Sequence, residues 1–78
     1  MTWNYRVIEF VDPQSMEPWR AIHEVYYDES GKPSSYSEHP AGVVWDTGAG
    51  DGEPSSVIEK LAMALRHPVL VERDFNRR

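Results

Sequence analysis

Histidines, serines and carboxylates are the side chains of this chain that could do chemistry, and their spacing decides whether they act together. His23, His39 and His67 stand far apart, and none has a second ligand four residues on, the spacing that sets two imidazoles on one helix face. His23 alternates with apolar neighbours and reads as a packed core or interface side chain. His39 precedes a proline at a kink. His67 closes a helix, where a cation complements the dipole. Serines and acids are plentiful, yet nothing marks a nucleophile with its base and orienting group. A chain of 78 residues also leaves little room for a substrate pocket of ~300 Å³ or more. No enzyme is expected. There is no cysteine, which removes disulfides and zinc–thiolate sites.

The run Gly48-Ala49-Gly50-Asp51-Gly52 lies between a strand and a helix, where phosphate-binding loops lie. It lacks the Gly-Lys-Ser/Thr ending of such a loop. Asp46, Asp51 and Glu53 would repel phosphate, and Pro54 removes an amide donor. Calcium loops need oxygen ligands at alternating positions, and here alanine and glycine fill the intervening places. The run reads as a flexible connector, and neither a cofactor nor a metal is expected.

The remaining constellation is acidic and aromatic. Glu24, Asp28, Glu29 and Glu38, with Tyr26, Tyr27 and Tyr36, gather on or around one hairpin. They read either as a solvated sheet face with ordinary hairpin-tip charges or as a partner-binding surface. Tyrosine suits the second, having large area, a polar tip and a low ordering cost. Acidic residues number 13 against 8 basic, a net charge of −5. That field disfavours direct nucleic-acid binding and favours a protein partner with a basic surface.

The elements that must position these residues are few. Residues 1–78 form a single small domain with one core. Trp3 to Val11 reads as a strand, apolar on both faces and therefore central or bulged near Val7-Ile8. Asp12 to Glu17 is a polar turn. Trp19 to Tyr27 is a second strand whose set Trp19, Ala21, His23, Val25 and Tyr27 is the more apolar and faces the core. Asp28-Glu29-Ser30-Gly31-Lys32 is a hairpin turn with Gly31 at positive φ. With Asp28 opposite Lys32, Tyr26 faces Ser34 and Glu24 faces Tyr36, so an outer face carries Arg20, Glu24, Tyr26, Tyr36 and Glu38. The third strand breaks at His39-Pro40 and resumes through Val43-Val44-Trp45. Asp46 to Glu53 is a loop. A helix runs from Pro54 to Arg66, with a Ser56–Glu59 capping box and a stripe of Ile58, Leu61, Ala62 and Leu65. His67-Pro68 stops it, Val69-Leu70-Val71 packs back as a short extended segment, and Glu72 to Arg78 frays. The fold class is α+β: a three-stranded antiparallel sheet packed on one C-terminal helix (β-β-β-α). One sheet face is left without a partner inside the chain. Three Trp and four Tyr are more than one thin core hides, so that face is expected to be wet or to bind, a homodimer being one form.

Trp3-Asn4-Tyr5-Arg6-Val7, Ala21 to Glu29, Gly31-Lys32-Pro33, Tyr36-Ser37-Glu38 and the endings Leu61 to Leu65 and Pro68-Val69-Leu70 resemble a family of small uncharacterised bacterial proteins. The Thr47 to Glu53 loop is longer and richer in glycine than that family's. The family carries no established catalytic residues, so none is transferred. In size, acidity and lack of cysteine the chain is also similar in kind to phage anti-CRISPR proteins of type I systems. That resemblance implies an inhibitor that occupies a basic nucleic-acid-binding surface of a CRISPR surveillance complex and blocks DNA binding; the alternative is a regulatory or structural homodimer. No apolar run approaches the ~20 residues of a membrane helix, and Met1-Thr2-Trp3-Asn4 opens no signal peptide. The expected location is the cytoplasm, that of the host if the protein is phage-encoded.

Overall fold

A computed structural model of the chain describes residues 2–50 and 52–75. β1 (Thr2–Val11) and β2 (Pro18–Tyr27) form a long antiparallel ladder from Thr2 opposite Tyr27 to Val11 opposite Pro18. The turn between them is held by Asp12. Its side chain accepts from the Gln14 amide at 2.8 Å, and its carbonyl accepts from the Met16 amide at 2.7 Å. Met16 takes a positive φ of 61°, the one non-glycine described residue to do so.

β3 (Pro33–Tyr36) pairs antiparallel with β2, and β4 (Leu70–Val71) pairs parallel with β1, giving the order β3-β2-β1-β4. The sheet is therefore four-stranded and mixed rather than three-stranded and antiparallel. Val69-Leu70-Val71 does pack back as expected, and it does so along the edge of β1. The helix is accordingly not the last element. Central placement of β1 explains its two apolar faces: Val7 and Ile8, on opposite faces, are both buried. No helix among the described residues is long and apolar enough to cross a membrane.

Two features of the third strand differ from expectation. β3 ends at Tyr36, and Val43-Val44-Trp45 joins no sheet; Val44 is 89% exposed. Past the proline, one backbone bond, Ala41 N–H to Ile22 O at 2.8 Å, keeps the segment at the edge of β2. The register also shifts. Asp28 N–H does bond Lys32 O at 2.9 Å, and Gly31 has φ of 85°. A bulge then intervenes: Tyr27 is opposite Pro33, but Tyr26 is opposite Ser35 and Val25 opposite Tyr36. Pro33 has no N–H for the ladder, and the extra residue, Ser34, donates its hydroxyl to Tyr26 O at 3.2 Å. A one-residue slip moves every later side chain to the other face.

α1 (Gly52–Ala64) starts two residues earlier than the sequence indicates and ends two earlier, closing in tight turns through Leu65, Arg66 and His67. Ser56 and Glu59 thus lie inside the helix and cap nothing. α1 packs chiefly on β1. Its covered stripe is Pro54, Val57, Leu61 and Ala64. The expected stripe lies one flank over: Ile58 is 55% and Leu65 70% exposed. Leu65→Ala should therefore change unfolding free energy by less than about 0.5 kcal/mol. Leu61→Ala, at a half-buried site, should cost about 1–2 kcal/mol, below the range for full burial. Chemical denaturation of both variants checks the order.

The two sheet faces follow from the β1–β2 register. Trp3, Tyr5, Val7 and Glu9 share one face with Tyr26, Glu24, Ile22 and Arg20, and α1 lies on this side. Asn4, Arg6, Ile8 and Phe10 share the other with Tyr27, Val25, His23, Ala21 and Trp19. This second face holds the most buried residues of the sheet, Ile8, Val25 and His23. It is covered by aromatic rings rather than by the helix. Phe10 stacks on Trp19 at 4.7 Å, and Tyr36 meets Phe10, His23 and Phe75 edge-on. Phe75 comes from a 3-10 turn, Glu72–Phe75, in the segment expected to fray. The face away from the helix is thus closed from within the chain over much of its area. Asn76, Arg77 and Arg78, the rest of that expected frayed tail, lie outside the described residues, as does Asp51.

Candidate interaction surface

The seven expected contact residues occupy the β2–β3 hairpin, but the bulge and the strand alternation divide them among three places. Glu24 and Tyr26 lie on the α1 side, opposite Tyr5 and Trp3. Tyr26 donates its hydroxyl to Glu24 Oε1 at 2.6 Å. That bond, with the nearby charge of Glu24, pushes the Tyr26 phenol above its ordinary value.

Tyr27 and Tyr36 lie on the opposite face. Tyr27 donates to Asn4 Oδ1 at 2.7 Å and accepts from Arg6 Nη1 at 3.0 Å, while Arg6 Nη2 donates to Pro68 O at 2.7 Å. Tyr27 therefore belongs to a clamp that ties both long strands to the segment entering β4. Tyr36 is half-buried among rings, its hydroxyl 3.5 Å from Glu72 Oε2. Burial first, then Glu72, raises its phenol. Tyr36 and Glu24 do not share an outer face, contrary to the register read from the turn.

Asp28, Glu29 and Glu38 are exposed. Asp28 is committed to the turn: its Oδ1 accepts from the Ser30 amide at 2.9 Å, the Ser30 hydroxyl at 2.7 Å and the Lys32 amide at 3.0 Å. The Ser30 hydroxyl, then the Lys32 amide, hold its carboxyl below the usual range. The folded value lies below the unfolded one, so this contribution is present above the ordinary aspartate pKa and is lost as pH falls through the depressed one. Acid titration followed by NMR should show the Asp28 carboxyl protonating later than a free aspartate. The Ser30 and Lys32 amides should lose exchange protection in the same interval. A midpoint at or above the ordinary aspartate value would contradict the bonding.

His23 is a core side chain, 3% exposed. Its Nδ1 is 2.9 Å from Ser37 O, a group that can only accept, so Nδ1 carries the proton. Nε2 is buried without a hydrogen-bond partner among the described residues. His39 and His67 are exposed and stand apart from it. Among the described residues no three or more histidines and acids come together as a metal cluster.

The sequence reading missed one feature. A cleft of about 420 Å³ opens between β1 and α1, lined by Trp3, Asn4 and Tyr5 from the strand and Lys60, Met63 and Ala64 from the helix. Its signal was the alternation of Trp3 and Tyr5, whose rings meet edge-on at 5.2 Å. The misplaced helical stripe hid which helix face those rings would meet. The chain matches no family model, no curated protein and no solved structure.

Proposed function

We propose that the protein acts by binding, presenting the carboxylates along the β2–β3 hairpin to a basic surface of a protein partner. One observation carries this. The ion pair found among the described residues joins Arg20 to Glu9 at 2.9 Å, and Glu24, Glu29 and Glu38 have no cation of the described residues within salt-bridge distance. On a chain of net charge −5, these carboxylates are available to a partner's lysines and arginines. Tyr26, held by Glu24 beside Trp3 and Tyr5, adds ring area with a fixed hydroxyl. The most concrete form is an anti-CRISPR inhibitor of a type I surveillance complex, its carboxylates standing where DNA phosphates would bind.

The test is a pull-down from cells carrying a type I CRISPR system, followed by DNA-binding competition at two salt concentrations. Capture of the complex, loss of its DNA binding and weakening with salt are expected, since the Debye length is only ~8 Å at physiological ionic strength. Single reversals of Glu24, Glu29 or Glu38 to lysine should each change affinity by less than about fivefold, and the triple reversal by about tenfold to hundredfold. Asp28 is left intact because it holds the turn. If no CRISPR component is captured, that form of the proposal fails. If the triple variant binds as wild type does, the acidic surface is not the contact.

A homodimer is the second reading. It is favoured by exposed apolar side chains on and just after α1: Ile58, and Leu65 with Val69, which line one cleft. Sedimentation showing a monomer at all concentrations excludes it.

A further inference from the structure

The sheet is unfinished along β1. β4 pairs with β1 only at Ile8 and Glu9, while β1 itself runs from Thr2 to Val11. Thr2–Arg6 thus has β2 on one side and, among the described residues, no strand on the other. Among the described residues no backbone hydrogen bond from a turn or loop reaches Thr2–Arg6, and the pairing with β4 begins only at Ile8. In an antiparallel ladder alternate residues turn N–H and C=O away from the partner strand, so a row of donors and acceptors faces outward here.

The cleft beside α1 shows the same edge from outside. Trp3, Asn4 and Tyr5 all line it. Consecutive strand residues point to opposite faces, so a cleft lined by all three reaches the strand's backbone as well as the face that carries Trp3 and Tyr5. Its far wall is α1, with Met63 54% exposed and Trp3, on the near wall, 49% exposed. Lys60 and His67 also line it, and Lys60 is in no ion pair among the described residues. Two basic side chains therefore meet at one groove of an otherwise acidic chain.

We propose that the open edge of β1 and the facing side of α1 form a groove that takes an extended peptide of a partner protein by strand addition, with an apolar side chain against Trp3 and Met63 and a carboxylate at Lys60. Unpaired main-chain groups in a row are met by another extended backbone, which supplies an acceptor and a donor at each repeat. A second copy of β1 is a poorer occupant, because Thr2–Val7 contains no acid to meet Lys60. This groove adjoins Tyr26 and Glu24, which lie opposite Trp3 and Tyr5, but it uses neither carboxylate of the hairpin and does not depend on the proposal made for them.

The probe is a displayed library of random octapeptides, the strongest binder being synthesised with a fluorophore and titrated by polarisation. Selected peptides should carry an apolar residue and an acid at fixed separation. Binding should shift the amide resonances of Trp3 to Val7 and slow their hydrogen exchange. Methylating alternate peptide nitrogens should abolish binding, because each methyl removes a ladder donor. Lys60→Glu, at an exposed site, should weaken binding about tenfold or more, and Glu29→Lys should leave it within about twofold. The proposal is overturned if no peptide binds more tightly than about 1 mM, if the binder shifts residues elsewhere and not Trp3 to Val7, or if nitrogen methylation has no effect. It is equally overturned if sedimentation and exchange show the edge already covered by a second copy.

Discussion

Ile8→Ala is expected to lower the unfolding free energy by about 2–5 kcal/mol. Ile8 is fully buried, on the face that also holds Val25 and His23, with Leu70 of β4 opposite it across the ladder. Truncation removes its transfer free energy and leaves a cavity that a sheet paired on both sides of this residue cannot readily collapse. A domain of this size has about 4–12 kcal/mol in total, at ~0.05–0.15 kcal/mol per residue, so the variant should melt far earlier than the parent. Ile8→Val should cost about 0.5–1.5 kcal/mol and keep the comparison measurable if the alanine variant does not fold. A loss below about 1 kcal/mol for the alanine variant would place the core elsewhere.

Tyr36→Ala is expected to cost about 2–4 kcal/mol, a little below the range for a fully buried aromatic. Its ring meets Phe10 at 5.7 Å, His23 at 5.4 Å and Phe75 at 4.9 Å. Such pairs contribute about 0.5–1.5 kcal/mol beyond area burial. A double-mutant cycle with Phe75→Ala isolates one of them, and a coupling of that size is expected because the two rings touch. The result bears on function as well. Were Tyr36 a free anchor for a partner, its truncation would leave stability nearly unchanged and reduce binding alone.

The hairpin was legible where a residue's backbone chemistry leaves few choices. Gly31 takes the positive φ that the Asp28–Lys32 turn requires, and Pro68 stops a helix that had already ended. The paired run Trp3 to Val11 against Trp19 to Tyr27 followed from β-forming residues around a polar turn. The bulge at Ser34 was not legible, because it depends on how a missing Pro33 donor is absorbed by β2. That single residue moved Tyr36 from the outer face into the aromatic cluster and divided the expected contact surface. The helix stripe failed for a different reason. Ile58, Leu61, Ala62 and Leu65 have sound helical spacing, but α1 rests mainly on β1, and the way it lies there selects Pro54, Val57, Leu61 and Ala64 from a broader apolar arc. The extended form of β4 is legible in Val69-Leu70-Val71, but two residues carry no mark of which strand they join.

The bond from Arg6 to Pro68 spans 62 positions of the chain, and the pairing of β4 with β1 closes a loop of similar length. On the ribosome that separation becomes time. At about 5–20 residues per second, β1 waits roughly 3–12 s for the segment that borders it, whereas a hairpin such as β1–β2 closes within about 1–10 μs. Each newly made molecule therefore passes through an interval in which β1, one of its two ten-residue strands, is paired on one side and bare along the whole of the other. Neighbouring nascent chains on one message carry the same bare edge at the same moment. Translation speed through the helix-coding stretch thus sets how long Ile8 and Glu9 stay bare on that side, while the rest of the edge is as open in the finished fold as in the nascent chain.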